Sequence, residues 1–263
     1  MPRQARKESG TGIYHVMLRG INRQDIFEDA EDYMRMLRCM QLMLEQYDDQ
    51  GNRLPPLCTF YAYCLMSNHV HLLLRVNQED IGSTIKHLAV MYAMYYNQKY
   101  SRSGHVFQDR FKSEPVNDMA YFVTLLRYIH QNPVKAGMVS EVKDYEFSSW
   151  GEYMDKNSTL FPLCDTHTVL NRIPLNELSE LVNEPIFDEV ACLDIEDASK
   201  GRPSDDQVMM LIKEKTGATN SSAFQQLPAD MKKSVLIELK GKRASLRQLE
   251  RLTGISKSMV SSM

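Results

Sequence analysis

The chain has 263 residues, 43% hydrophobic and 25% charged, with a formal net charge of −3. That length can bury a full core and still carry a second small domain, and apolar runs such as 60–66 and 70–74 are far too short to span a bilayer. A polar, basic start over 1–10 predicts no signal peptide, and five cysteines (Cys39, Cys58, Cys64, Cys164, Cys192) without a C-x-x-C pair argue for reduced thiols in a cytoplasmic protein and against a structural zinc.

Residues 13–19 are a short apolar-rich run stopped by Gly20 and Asn22, and read as a strand. Met36, Leu37, Met40, Leu44 and Tyr47 recur at helical spacing, which predicts an amphipathic helix over 32–47. Two strand-like runs, 59–65 and 69–76, flank Met66-Ser67-Asn68, a natural hairpin turn. A second helix is expected over 81–100, with Ile85, Leu88, Tyr92 and Tyr95 along one face, and a fourth strand over 106–112. Asp118 then caps a third helix running to Asn132, where Pro133 forbids its continuation. The order β-α-β-β-α-β-α predicts an α+β fold, a ferredoxin-like antiparallel sheet with helices on one face.

This first domain is expected over 1–154. Residues 155–202 read as an acidic linker region ending in Ser199-Lys200-Gly201-Arg202-Pro203, and 203–263 as a small all-helical domain. Charge is segregated along the chain. Residues 1–23 carry five Lys/Arg against Glu8, and 232–257 carry eight against Glu238 and Glu250. Between Glu177 and Asp206 ten acids face Lys200 and Arg202. Basic binding faces joined by an acidic connector would produce this pattern, and so would ordinary solvated faces.

His69 and His71 lie two apart on a predicted strand, so both imidazoles project from one face. Such a pair suits a divalent metal with open positions, although a bare H-x-H is also a common structural pair. In the third helix Phe122, Leu125, Leu126 and Ile129 define the buried stripe. Tyr128 and Asn132 lie at its edge, roughly 40° apart on the wheel. An amide oxygen at Asn132 could complete a metal shell while Tyr128 aims its hydroxyl at whatever the metal binds. Tyr128 could equally be a boundary packing tyrosine, Asn132 a helix-ending residue, and Tyr121 a competing nucleophile.

The run Met66-Ser67-Asn68-His69-Val70-His71-Leu72-Leu73 closely resembles the M-P-N-H-V-H-L-L signature of the HUH single-strand transposases. Arg127-Tyr128-Ile129-His130-Gln131-Asn132-Pro133-Val134-Lys135-Ala136-Gly137 resembles their catalytic-tyrosine helix, and residues 104–113 the strand before it. Tyr14-His15-Val16 through Arg19-Gly20, and Phe147-Ser148-Ser149-Trp150, are similar as well; the REP-associated tyrosine transposases are the closest branch. Ser67 replaces the usual proline of the turn.

The resemblance covers about residues 10–153 and implies His69 and His71 as metal ligands, Asn132 as the third ligand and Tyr128 as the nucleophile. It ranks Gln131 lower and leaves His130 as a packing or phosphate-contacting residue. The implied cofactor is Mg²⁺ or Mn²⁺, and the implied reaction is nicking and rejoining of single-stranded DNA at REP-like hairpins through a 5′-phosphotyrosine. No Walker loop appears, and no nucleotide cofactor or membrane partner is expected; a monomer or a homodimer would serve. Arg19, Lys99, Arg102, Arg110, Lys112, Arg127 and Lys135 are candidates for phosphate contacts, and Tyr92, Tyr95, Tyr96 and Tyr100 for base stacking. Residues 246–260 read as a helix-turn-helix, with Gly254 in the turn, Ser256 as cap and Leu249, Ile255 and Val260 packing the helices. Its basic residues Arg247, Arg251 and Lys257 would face DNA. The alternative is a catalytically silent DNA-binding regulator on the same fold.

Overall fold

Strand β1 (Ile13–Arg19) lies inside a four-stranded antiparallel sheet of order β4-β5-β1-β6, with β4 Cys58–Met66, β5 His69–Val76 and β6 Lys112–Pro115. A separate two-stranded ribbon, β2 (Gln46–Tyr47) and β3 (Arg53–Leu54), precedes β4. The computed structural model describes residues 7–108, 110–155, 161–184, 203, 205–218, 221–242 and 244–261. The chain divides into two units, 1–193 and 194–263.

Pleating sends successive side chains of a strand to opposite faces. Tyr14, Val16 and Leu18 of β1, with Val70, Leu72 and Leu74 of β5, enter one core together with helices α1 (Ala30–Leu44) and α2 (Ile81–Lys99). Asp29 caps α1 by accepting from Asp32 N, and Asp80 caps α2 by accepting from Gly82 N and Ser83 N. On the opposite face Tyr61, Ala62, Cys64, Met66 and Leu73 pack against α3 (Met119–Lys135). A β-bulge between Phe60 and Ala62 turns both Tyr61 and Ala62 toward α3. The helices therefore cover both faces, not one. β4 and the apolar stretch of β5 are buried on both sides, so they lack the alternation that marks a half-exposed sheet.

The fourth strand also differs from expectation. Val106 and Phe107 are apolar because they pack into the first core, where Phe107 lies 6.0 Å from the Tyr92 ring, and Phe107 only bridges Gly20. The paired strand is the polar segment 112–115, in register with 14–17. Pro133 lies inside α3 rather than ending it. It removes one donor, but the last turn survives because Ala136 N donates to Asn132 O and Met138 N to Pro133 O. The chain leaves the helix at Gly137, whose φ of 69° is the left-handed value that favours glycine.

Beyond α4 (Trp150–Met154), residues 161–184 of the expected linker are folded. They carry α5 (Thr166–Leu170) and α6 (Leu175–Asn183), and Val169, Ile173, Leu178 and Val182 join the α3 core. Residues 185–202 lie outside the described residues. The outer edge of β4 is occupied by the chain itself: Leu65 N donates to Phe147 O, Ser149 N to Tyr63 O and Asp165 N to Phe60 O.

The second unit is helical: α7 (Asp205–Thr216), α8 (Ser221–Gln225), α9 (Ala229–Gly241), α10 (Leu246–Thr253) and α11 (Lys257–Ser261). Its core is Val208, Ile212, Phe224, Leu236, Leu239, Leu249 and Val260, separate from the two sheet cores. Ser245 and Gln248 form a capping box on α10. Gly254 ends α10 at φ 69°, and a Cβ there would displace the side-chain amide of Gln225 in α8. Lys257 N donates to the Glu250 carboxylate, which serves the start of α11, while Ser256 Oγ is bonded to Ser258 Oγ. No helix among the described residues is long and apolar enough to cross a membrane.

Candidate active site

The turn Ser67-Asn68 starts β5 in a register that places His69 opposite Arg19 and His71 opposite Met17, on the face that α3 crosses. Both imidazoles are buried, His71 completely. Their rings stand edge to face with centroids 5.0 Å apart. His69 Nδ1 lies 2.6 Å from Asn68 Oδ1, and His71 Nδ1 lies 3.0 Å from His15 Nε2. His71 Nε2 is buried and has no hydrogen-bond partner.

Burial holds the His69 imidazolium down to about 4, with the positive charge of Arg19 acting in the same direction. Burial, then the neighbouring His69 and His15, hold His71 well below the usual histidine range. Both rings are therefore neutral near pH 7 and can offer a lone pair without losing a proton.

Tyr128 comes from α3 and is 3% exposed, its ring edge-on to His71 at 5.5 Å and to His15 at 5.9 Å. Lys135, two turns further on, holds Nζ 5.1 Å from the centre of the Tyr128 ring. Asn132 is partly buried, and its amide nitrogen donates to the Tyr128 carbonyl at 2.8 Å, leaving Oδ1 as the atom available to a ligand. Among the described residues no three His, Cys, Asp or Glu side chains converge as a metal site. The donors that would suit a divalent ion here are the imidazole nitrogens, one of them an orphaned buried atom, with an amide oxygen on the helix that crosses their face.

The profile of the IS200-like transposases matches residues 9–132, the stretch that carries the histidine pair, Tyr128 and Asn132. A Haemophilus influenzae protein named for the REP-associated tyrosine transposases is 30% identical over 113 residues, covering 38% of this chain and 62% of that protein. Among solved structures, a REP-associated tyrosine transposase bound to a REP hairpin covers 62% of this chain and 90% of its own, at 19% identity and a TM-score of 0.47. A Deinococcus radiodurans transposase structure covers 49% of this chain and 97% of its own, at 18% identity and a TM-score of 0.31.

Around the histidine pair, Arg19 opposes His69, and Lys112 opposes Met17 on the same face and is exposed. Arg110 is exposed in the segment leading into β6. Arg127 turns the other way, to the carbonyl of Glu184 at 3.3 Å and its carboxylate at 3.6 Å. Lys99 is held by Asp29, Glu31 and Asp32, and Arg102 by Gln24 and the Tyr96 ring. Tyr92, Tyr95 and Tyr96 of α2, and Tyr100 at its C-cap, have their hydroxyls engaged within the fold. Tyr92 donates to Ile26 O, Tyr96 to Asp25 O and Glu28, and Tyr95 and Tyr100 to Asp32, which pins α2 to α1. Tyr121 donates to the Glu114 carboxylate, behind His15. His130 is a packing residue: Nδ1 meets Leu126 O, Nε2 meets Ser149 Oγ, and burial holds it down to about 4. Gln131 donates to the carbonyls of Val182 and Glu184 at the end of α6. In the second unit Arg251 and Lys257 are exposed, and the side chain of Arg247 lies outside the described residues.

His15 is the site residue that sequence reasoning passed over except as part of a motif. The signal was present. Tyr14, Val16 and Leu18 fix one face of β1 and leave His15 on the other, and the β1–β5 register then sets it beside the H-x-H pair.

Proposed function

We propose that the protein nicks and rejoins single-stranded DNA at REP-like hairpins, with Tyr128 as nucleophile. The observation that carries this is the Tyr128 ring set edge-on over His71, whose Nε2 is buried with nothing to bond. In this reading Nε2 of His69 and His71 and Oδ1 of Asn132 hold a Mg²⁺ or Mn²⁺. When bound, the ion supplies Lewis-acid polarisation of a scissile-phosphate oxygen.

Tyr128 Oη attacks phosphorus and the P–O3′ bond breaks. The phenolic proton is lost, the departing oxygen is protonated to a 3′-OH, and the phosphate remains as a 5′-phosphotyrosine. The phosphodiester energy stays in that bond, so a second 3′-OH reverses the step without ATP. A phenol with an ordinary pKa near 10 is a weak nucleophile at neutral pH. Lys135 supplies positive charge beside the ring, and Arg19 and Lys112 supply it on the histidine face, where backbone phosphates would run. The hairpin target is suggested by the REP-associated name of the Haemophilus relative, 62% of whose length the match spans. Arg251 and Lys257 of the helix-turn-helix-like pair α10–α11 would add duplex contacts.

The test is a denaturing gel of full-length protein incubated with Mn²⁺ and end-labelled REP-type hairpin oligonucleotides. A covalent protein–DNA adduct should form and fall by at least about 1,000-fold in Tyr128→Phe. An adduct that persists in that variant refutes the nucleophile. Hairpin binding without any adduct across many sequences would instead favour the silent regulator.

A further inference from the structure

We infer that His15 is a positioning residue that fixes the tautomer of His71 and so presents Nε2 of His71 to the divalent ion. This rests on the reading of His69 and His71 as ligands.

His15 is fully buried on an inner strand, where an apolar side chain would pack at lower cost. Its ring lies edge to edge with that of His71, the planes 24° apart and the centroids 5.2 Å apart, with Nε2 3.0 Å from His71 Nδ1. On its other side His15 Nδ1 lies 3.5 Å from Glu114 Oε1, a long contact across the β1–β6 pair, and the same carboxylate oxygen accepts from the Tyr121 hydroxyl. Only one of the two facing ring nitrogens can hold the shared proton.

If His15 Nε2 held it, neutral His71 would carry its own proton on Nε2, the buried atom with no acceptor. A singly protonated His15 would then face Glu114 lone pair to lone pair through Nδ1, and a doubly protonated one would still leave the His71 proton on that unmatched Nε2. If His71 Nδ1 holds it, every proton has an acceptor. His71 donates to His15 Nε2, His15 Nδ1–H points at Glu114, and an ionised carboxylate only accepts. The free lone pair of His71 is then on Nε2. Glu114 thus sets the polarity of the whole row, and His15 transmits it, as outer-shell partners of metal-bound imidazoles commonly do.

His69 reaches the same state by a local device, the Oδ1 of its own neighbour Asn68. The two ligands therefore differ in what controls them: a turn for His69, and a relay across three strands for His71.

The experiment uses full-length protein without DNA. Long-range ¹H–¹⁵N NMR of the imidazoles should show His71 as the Nδ1–H tautomer in the wild type; an Nε2–H tautomer there overturns the inference. Free Mn²⁺ is followed by EPR during titration of His15→Phe, His15→Gln and Glu114→Gln, with melting temperature as a check on folding. His15→Phe keeps the bulk but no acceptor, and should weaken Mn²⁺ binding by about 10–100-fold. His15→Gln, whose amide oxygen can accept from His71, should restore most of it. Equal affinity in wild type and His15→Phe overturns the inference and leaves the metal reading standing. No Mn²⁺ binding by the wild type overturns both.

Discussion

At Asn132 one side chain has two tasks that separate cleanly by atom. The amide nitrogen ties the residue to the Tyr128 carbonyl, and the oxygen is left over. Asn132→Leu keeps the volume and removes the oxygen. We expect Mn²⁺ affinity to fall by at least about 10-fold, with little change in melting temperature, as read by EPR titration and thermal melting. An unchanged affinity would remove Asn132 from the ligand set. The histidine pair was legible from spacing alone, because a period of two needs no tertiary information. The partnership of His71 with His15 was not. Between them lies a 56-residue gap that only the β1–β5 register closes, and a motif search treats the two as separate blocks.

At the scale of elements, the bounds of β1 and β5 follow from their apolar runs, and the Asp118 cap locates the start of α3. The misplaced fourth strand has a physical cause: β6 is a polar edge strand, and an edge needs no apolar run. The tyrosines of α2 mislead for a related reason. Their rings read as a binding surface until Asp32 is seen at the centre of them, fully buried and accepting from Lys99 at 2.9 Å, Tyr100 at 2.7 Å, Tyr95 at 3.0 Å and Glu28 N at 2.8 Å. Burial alone would raise this carboxyl, but the four donors outweigh it and hold it below 3.8. Its contribution is therefore complete above pH 3.8 and is lost as pH falls through the lower folded value. Asp32→Asn should cost about 1.5–3 kcal/mol at pH 7. In urea denaturation series the gap between variant and wild type should shrink progressively below pH 3.8; a gap independent of pH would show that the charge is not what matters.

At the scale of the molecule, two units with separate cores should unfold as two transitions. Gly254 tests this. Its left-handed φ disfavours a β-branched residue, whereas the Gln225 amide beside it can swing aside, so Gly254→Val should cost about 1–2 kcal/mol through the backbone. Differential scanning calorimetry should show one transition lowered and the other unmoved, and Mn²⁺ affinity should be unchanged. A single transition that shifts as a whole would mean the units fold together. The helical character of the second unit was readable from its periodicity. The folding of 161–184 onto α3 was masked by the acids of α6, Glu177 and Glu180, which line its solvent side while Leu178 and Val182 are buried.

The sheet's two margins are treated unequally. Along β4 the backbone donors and acceptors are taken up by 147–149 and Asp165, so no foreign strand can add there without displacing the chain's own segments. The other margin is β6, four residues long, opening on an exposed lysine and closing on a proline that has no hydrogen to give. A sheet whose inner strands are buried on both faces is thereby left with no long edge from which further strands could grow.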